Sequence, residues 1–362
     1  MNENSRQSLE NPIWDVAKLI MSFLVVCVHT GAGFPNENVN FFLEQWAARF
    51  AVPLFFCLAG YFLFSKTERG ERLTPPDADT VKKYWLRILR MYVLWTCVTI
   101  VVNALNWISS RACARDILLF FTDSVLRGHS MYHFWYLSSL MVAVFLLWIL
   151  HRFMSLRTIW AIALVFFLFG LIWQPHFYLV RGAVNADPVL SGLYDFLCRV
   201  FESPRDGLCF ALVFVTLGAR LGTGEIRPCL SKSVWFFAAL FCALSFVEMW
   251  WLRLQNNGDN ATYGALQFSL LPAAYFIYSA LVRIRMAPRP VYRTLRKCST
   301  LIYCIHPYIL SVFDRLPFGM LKRGAASYGL LWVCVFAVSF FVSLVWIRLE
   351  KNPKMRFLKM MH

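Results

Sequence analysis

The chain has 362 residues, of which 59% are hydrophobic, 17% aromatic and only 15% charged, with 36 Lys and Arg against 20 Asp and Glu for a net charge of +16. A soluble domain carries about 25% charged residues, so this composition excludes a water-soluble globule and places the chain in a bilayer. On so apolar a chain the positive excess points to anionic lipid and an anionic substrate rather than to nucleic acid.

Residues 1–12 read as a cytoplasmic tail. Next come ten stretches long enough to cross about 30 Å of hydrocarbon, at roughly 13–32, 46–64, 86–108, 132–150, 158–175, 207–221, 233–252, 263–282, 299–313 and 327–347. The first is too long for a signal-peptide core and is interrupted by Asp15 and Lys18, so it reads as a retained helix. The sixth and ninth are short, and 190–203 reads as loop or interfacial helix. Lipid requires that backbone groups be satisfied within the segment, and these runs are too long for barrel strands, so the expected fold class is an all-α polytopic bundle. Residues 13–348 form one membrane domain and 349–362 a basic tail. With a cytoplasmic N-terminus, the inner segments hold 24 Lys and Arg and the outer ones 11. That asymmetry puts both termini inside. Eleven scattered cysteines, without CxxC spacing, read as reduced core residues.

Ionisable groups within these spans are expensive unless paired or turned to a cavity, which makes each a candidate for function. In the first span, NPIWDVAKLIMSFLVVCVHTG, Lys18 and His29 stand eleven residues apart. That is three turns and roughly 16 Å, so both project from one helix face. Snorkelling beside Asp15 is the structural alternative for Lys18, and a packed imidazole the alternative for His29. The third span opens with KKYWLRILRMY, in which Arg87 and Arg90 share a face behind Lys82 and Lys83. Such a start suits phosphates, though ordinary positive-inside topology also explains the lysines.

At the outer level lie His133 and Trp135 (RGHSMYHFWYLSSL), Arg205 and Asp206 (ESPRDGLCF), and Glu248 among aromatics (SFVEMWW). Trp135 fits an interfacial belt, Asp206 an N-cap, and Glu248 either a salt bridge to Arg253 or Arg205 or a role at the site. His129 and His133 lack a completing Glu or Cys, so no metal site is expected. His306, followed by Pro307 in LIYCIHPY, reads as structural. No nucleophile elbow, P-loop or dinucleotide fingerprint is present.

Taken in order, WDVAKLIMSFLVVCVHTG, RFAVPLFFCLAGYFLF, YWLRILRMYVLW, HFWYLSSLMV, PRDGLCFALVFVTLGARL and STLIYCIHPYIL resemble the acyltransferase-3 family of ten-helix membrane O-acyltransferases. The wording of the second and fourth lies near the branch containing the membrane domain of vancomycin-resistance serine racemases. The resemblance implies transfer of an acyl group, most simply acetyl, from cytoplasmic acyl-CoA to a hydroxyl of an extracytoplasmic envelope glycan or lipid-linked sugar, in the bacterial inner membrane. Acetyl-CoA is then a co-substrate and no cofactor is resident. In that family a basic residue eleven positions before the first-helix histidine, the histidine itself and an RxxR pair in the third helix are associated with activity. Here they fall on Lys18, where arginine is usual, His29, and Arg87 with Arg90. Lys83 would add to acyl-CoA binding, and Glu248 would orient His29 or hold the acceptor. His133, Trp135, Arg205 and Asp206 are then placed on the acceptor side. A small amino-acid permease and a non-catalytic scaffold are the competing classes.

Overall fold

The computed structural model describes residues 11–65, 76–110, 113–126, 128–200, 204, 208–255, 266–315 and 327–362. Among them there is no strand. In chain order the helices are α1 (Ile13–Thr30), α2 (Glu37–Phe64), α3 (Ala78–Ser110), α4 (Ala114–Leu126), α5 (Trp135–Leu150), α6 (Leu156–Trp173), α7 (Arg181–Ala186), α8 (Pro188–Val200), α9 (Ala211–Thr223), α10 (Val234–Gln255), α11 (Leu270–Arg283), α12 (Pro290–Phe313) and α13 (Leu330–Leu349). Six of them, α1, α2, α3, α6, α10 and α13, are long and apolar enough to cross a membrane, and α5, α9 and α11 are shorter apolar helices. The chain is an all-α, multi-pass membrane helix bundle.

Each of the ten expected spans has its helix, and the differences in their ends have physical causes. α3 starts eight residues before the hydropathic run, because hydropathy marks only the part that contacts hydrocarbon. Its 33 residues rise roughly 50 Å, so the segment bearing Lys82 and Lys83 is a helical overhang. α2 likewise begins nine residues early. Its first turns include a π-helical stretch at Phe41–Trp46 and a 3₁₀ turn at Ala47–Phe50, neither of which hydrophobic periodicity can signal. α4 was not expected. Its sequence ARDILLFFTDSVL is too polar to read as a span, yet Leu118, Leu119, Phe121 and Val125 are exposed apolar side chains, the pattern of a helix lying at an interface. Of the segment at 190–203, residues 190–200 lie in the helix α8, and 201–203 fall outside the described residues.

The chain packs as two units, one from residues 1–55 and 226–360, the other from 56–225. In the first, α1, α12 and α13 form the central group. Asp15, 3% exposed, accepts a bidentate pair of bonds from Arg296 (Nε–Oδ1 2.7 Å, Nη2–Oδ2 3.0 Å). Ser22 Oγ donates to Ser299 O, and Trp332 Nε1 donates to Phe23 O at 2.8 Å. The sequence suggests Asp15 as the local partner of Lys18, but its carboxylate is engaged by α12, the geometry that best offsets burial of a charge.

Beyond α13, Glu350 is buried between Lys297 Nζ (2.5 Å) and His362 Nε2 (2.6 Å). Burial alone would push its carboxyl up, but the bonds from Lys297 and His362 outweigh this and hold it below its ordinary value of 4.5. A carboxyl depressed in the folded state stabilises at pH above its ordinary value, and that contribution is lost as pH falls through the lowered folded value. Glu350→Gln is therefore expected to lower Tm at pH 7. Thermal melts in detergent from pH 7 to pH 3 should show the gap from wild type closing as the medium is acidified. A gap independent of pH would contradict this assignment.

In the second unit, α9 approaches the latter part of α2 through glycine. A Cβ at Gly218 would overlap the Cys57 carbonyl, one at Gly222 the Tyr61 carbonyl, and one at Gly60 the Val215 carbonyl. Small residues four apart let helix backbones meet closely in lipid. Since backbone cannot yield as a flexible side chain can, Gly218→Val is expected to cost at least the 1–3 kcal/mol of an overpacked core. Thermal unfolding in detergent should show it as a Tm drop or failure to accumulate, and an unchanged Tm would refute the contact.

Candidate functional site

α1 is unbroken from Ile13 to Thr30, so the eleven-residue separation of Lys18 and His29 holds on one helix. The helix stops at Gly31, whose φ of +77° ends the α-conformation while its N–H caps Cys27 O. His29 therefore occupies the last turn, half-buried, two residues before a chain reversal. Lys18 is half-buried on the same helix.

The histidine ring of α1 meets a second imidazole. His29 and His306 have ring centroids 5.3 Å apart, with planes inclined at 31°. His306 is 0% exposed on α12. Its Nδ1 lies 2.9 Å from Ile302 O, and the ring is within hydrogen-bonding reach of the Tyr303 carbonyl as well. The following residue explains this contact. Pro307 has no N–H to offer the carbonyl four residues earlier, and the His306 ring supplies a donor at that point. The His-Pro pair, which reads as structural in the sequence, thus fixes an imidazole beside His29.

A carboxylate that the sequence did not single out also reaches this end of α1. Glu44, in the π-helical stretch of α2, accepts the Ala32 N–H at 2.6 Å and lies in the electrostatic field of Arg49. The bond pins the reversal that follows His29. π-Helical turns recur at functional sites, and a lone carboxylate within FFLEQWAARF was the available signal.

Glu248 has a different setting. On α10 its Oε1 accepts from Phe268 N (2.7 Å), and its Oε2 from Ser269 N (3.0 Å) and Ser269 Oγ (2.6 Å). These donors stand at the start of α11, where a carboxylate complements the positive helix end. Arg253, on the same helix, donates to Asn38 Oδ1 at 2.9 Å and approaches Glu37 at 3.9 Å.

In the second unit, Arg87 and Arg90 stand three residues apart on α3 and are exposed, as are Lys82 and Lys83. The guanidinium of Arg87 acts electrostatically on Tyr84, and Tyr84 on Tyr136 of α5. Trp85 Nε1 donates to Met141 O, which fixes α3 against α5 behind the arginines. His133 is 1% exposed, with its ring 4.1 Å from Phe134. Trp135 is buried between Phe56 and Phe210, with centroid separations of 6.4 and 6.3 Å. Arg205 and Asp206 lie outside the described residues. Among the described residues no cluster of three or more His, Cys, Asp or Glu is arranged to hold a metal.

The chain is a multi-pass helix bundle with a half-buried imidazole beside a buried one at the end of its first helix and an exposed arginine pair on its third. Residues 11–348 match the acyltransferase domain family, Acyl_transf_3, and the chain belongs to that family. It is 24% identical over 334 residues (90% of this chain, 45% of the relative) to a protein of Enterococcus faecalis named amino-acid racemase. A second amino-acid racemase of that organism is 27% identical over 285 residues (78% and 37%). A serine/alanine racemase of Enterococcus gallinarum is 23% identical over 307 residues (84% and 41%). The chain spans less than half the length of these relatives. No solved structure matches it.

Proposed function

We propose that this acyltransferase-family protein moves an acyl group, most simply acetyl, from cytoplasmic acyl-CoA to a hydroxyl of an extracytoplasmic envelope glycan or lipid-linked sugar. The observation that carries the reading is the His29 imidazole at the end of α1 with a second imidazole 5.3 Å away. An ionisable side chain turned to the interior of a membrane bundle is there for chemistry or passage rather than for stability. A neutral imidazole accepts a proton near physiological pH. His29 takes the proton of the acceptor hydroxyl as its oxygen attacks the thioester carbonyl, and CoA leaves as the thiolate, which is protonated in turn.

The acyl donor is an anion, and Arg87 with Arg90 is the group suited to it. Two guanidinium forks on one helix face bind phosphate oxygens bidentately, and Lys83 and Lys18 add charge without that fork. His133 and Trp135 are assigned to the acceptor side together with Arg205 and Asp206. Glu248, as a carboxylate saturated by the start of α11, shapes that side and is not assigned the proton transfer.

The names of the relatives favour a second reading, in which the membrane unit handles an amino acid, either as acyl acceptor or as transported solute. Purified protein in liposomes discriminates between the two. With radiolabelled acetyl-CoA outside and envelope glycan inside, CoA-dependent label on the glycan supports acyl transfer. Serine uptake without CoA, with no label on any hydroxyl, replaces that reading with transport.

A further inference from the structure

We propose that the segment following α13 is a binding surface for anionic phospholipid, in which Lys354, Arg356 and Lys359 hold headgroup phosphates while Phe357 and Met360 enter the acyl boundary. The proposal concerns a lipid partner and stands apart from the acyl-transfer reading.

In sequence, residues 349–362 read only as a basic tail, but the structure folds them. Asn352 Oδ1 accepts the Lys354 N–H at 3.0 Å, and Pro353–Met361 follows as 3₁₀ helix with one kink at Met355. A 3₁₀ helix repeats every three residues, so side chains at i and i+3 eclipse. The exposure keeps that period across the kink. Lys354, Phe357 and Met360 form one outward ridge, Arg356 and Lys359 a second, and Met355 with the buried Leu358 the inward one. Phe357 is 54% exposed and Met360 38%. The segment thus has an apolar ridge for the protein and, separately, two apolar side chains set outward among cations.

Three contacts fix this face at the end of a membrane span. Trp346 Nε1, in the last turn of α13, donates to Leu358 O at 3.3 Å. His362 Nε2 lies 2.6 Å from Glu350 Oε2, and Lys297 Nζ of α12 donates to the other oxygen, Oε1, at 2.5 Å. The helix begins four residues beyond Leu349, where α13 ends, so it lies at headgroup level and is held there instead of extending into water.

The charge of the segment selects the partner. From Arg348 to His362 there are five Lys and Arg and one carboxylate, Glu350, and both oxygens of that carboxylate are taken. Arg348, Lys351, Lys354, Arg356 and Lys359 are exposed, and among the described residues none of the five forms an ion pair. Uncompensated cations flanking exposed apolar side chains at a bilayer surface bind by apolar insertion together with attraction to anionic lipid. A soluble phosphate would answer the charge and leave Phe357 and Met360 in water. An anionic phospholipid of the leaflet on which α13 ends satisfies both.

The test reads the neighbour of residue 357 directly. The full chain, with photoreactive benzoylphenylalanine in place of Phe357, is reconstituted in nanodiscs of phosphatidylcholine containing a minority of phosphatidylglycerol, irradiated, and its adducts are identified by mass spectrometry. A basic residue near an anionic surface supports a preference of about fivefold. Phosphatidylglycerol adducts are therefore expected at least about fivefold above their share of the bilayer, and this enrichment should fall with added salt. Combining Lys354→Gln, Arg356→Gln and Lys359→Gln should return the adduct ratio to that of the bilayer. These side chains make no ion pair to lose, so Tm is expected to hold, and Arg356→Gln alone should give a partial loss if the triple variant does not accumulate. Inorganic phosphate at constant ionic strength should leave the enrichment unchanged. Adducts in the bilayer ratio with all three cations present, adducts to polypeptide instead of lipid, or loss of enrichment to inorganic phosphate would each overturn the proposal.

Discussion

Replacing His29 by alanine is expected to lower acyl transfer by about 10²–10⁴-fold, the range for loss of a positioned general base, while the Tm in detergent changes little. The two parts of this expectation come from different observations. His29 is half-buried in the last turn of α1, and that helix is anchored elsewhere, by Asp15 to Arg296, by Ser22 to Ser299 and by Phe23 to Trp332. Removing the ring leaves those anchors in place. The chemical loss has no such reserve, because the proposed reading assigns no other base to the acceptor hydroxyl. His29→Gln would keep a polar group of similar length but no basic lone pair, and should fall as far as alanine. The measurement is single-turnover transfer of labelled acetyl from acetyl-CoA, which separates chemistry from product release. Residual activity within tenfold of wild type in both variants would remove His29 from the reaction.

The part of this site that the sequence displays is the part written along one helix. The eleven-residue spacing of Lys18 and His29, and the three-residue spacing of Arg87 and Arg90, are geometric statements as soon as the segments are helices, and hydropathy identifies those segments because lipid contact demands it. What hydropathy does not carry is pairing across helices. Asp15 appears three residues from Lys18 in the chain, yet it is held by Arg296. Glu248 appears as an isolated carboxylate among aromatics, yet it receives three bonds at the start of α11. His306 appears as a buried histidine before a proline, and only the packing of α12 on α1 sets it beside His29. The π-helical turns that bring Glu44 to Ala32 have no periodic signature at all. The ten apolar spans were legible, whereas α4 and the termini of α2 and α3 were not, since α4 is too polar to read as a span and the other two helices continue past their apolar runs, where hydropathy ceases to report on structure.

Replacing Arg87 or Arg90 by glutamine is expected to raise KM for acetyl-CoA by roughly 10–150-fold, with a smaller effect on kcat at saturating donor. A hydrogen bond to a charged group contributes about 1.5–3 kcal/mol, and each 1.4 kcal/mol is tenfold in affinity. Both side chains are exposed on a helix that Trp85 fixes to α5, so their loss costs the fold little. The same exposure leaves them free to take an anionic ligand. The pair shares a face at i and i+3, so the double variant should lose more than either single one if both grip the same phosphate group, and the two losses should be non-additive. Lysine in place of either arginine keeps the charge but not the planar fork, and should recover only part of the affinity. The decisive comparison is donor length. Acetyl-CoA carries phosphates and a short acetyl-pantetheine thioester does not, so the arginine variants should discriminate against the first and leave kcat/KM for the second unchanged. An equal loss on both donors would show that the guanidinium groups support the helix or the thioester rather than the phosphates, and would reassign the acyl-CoA site away from α3.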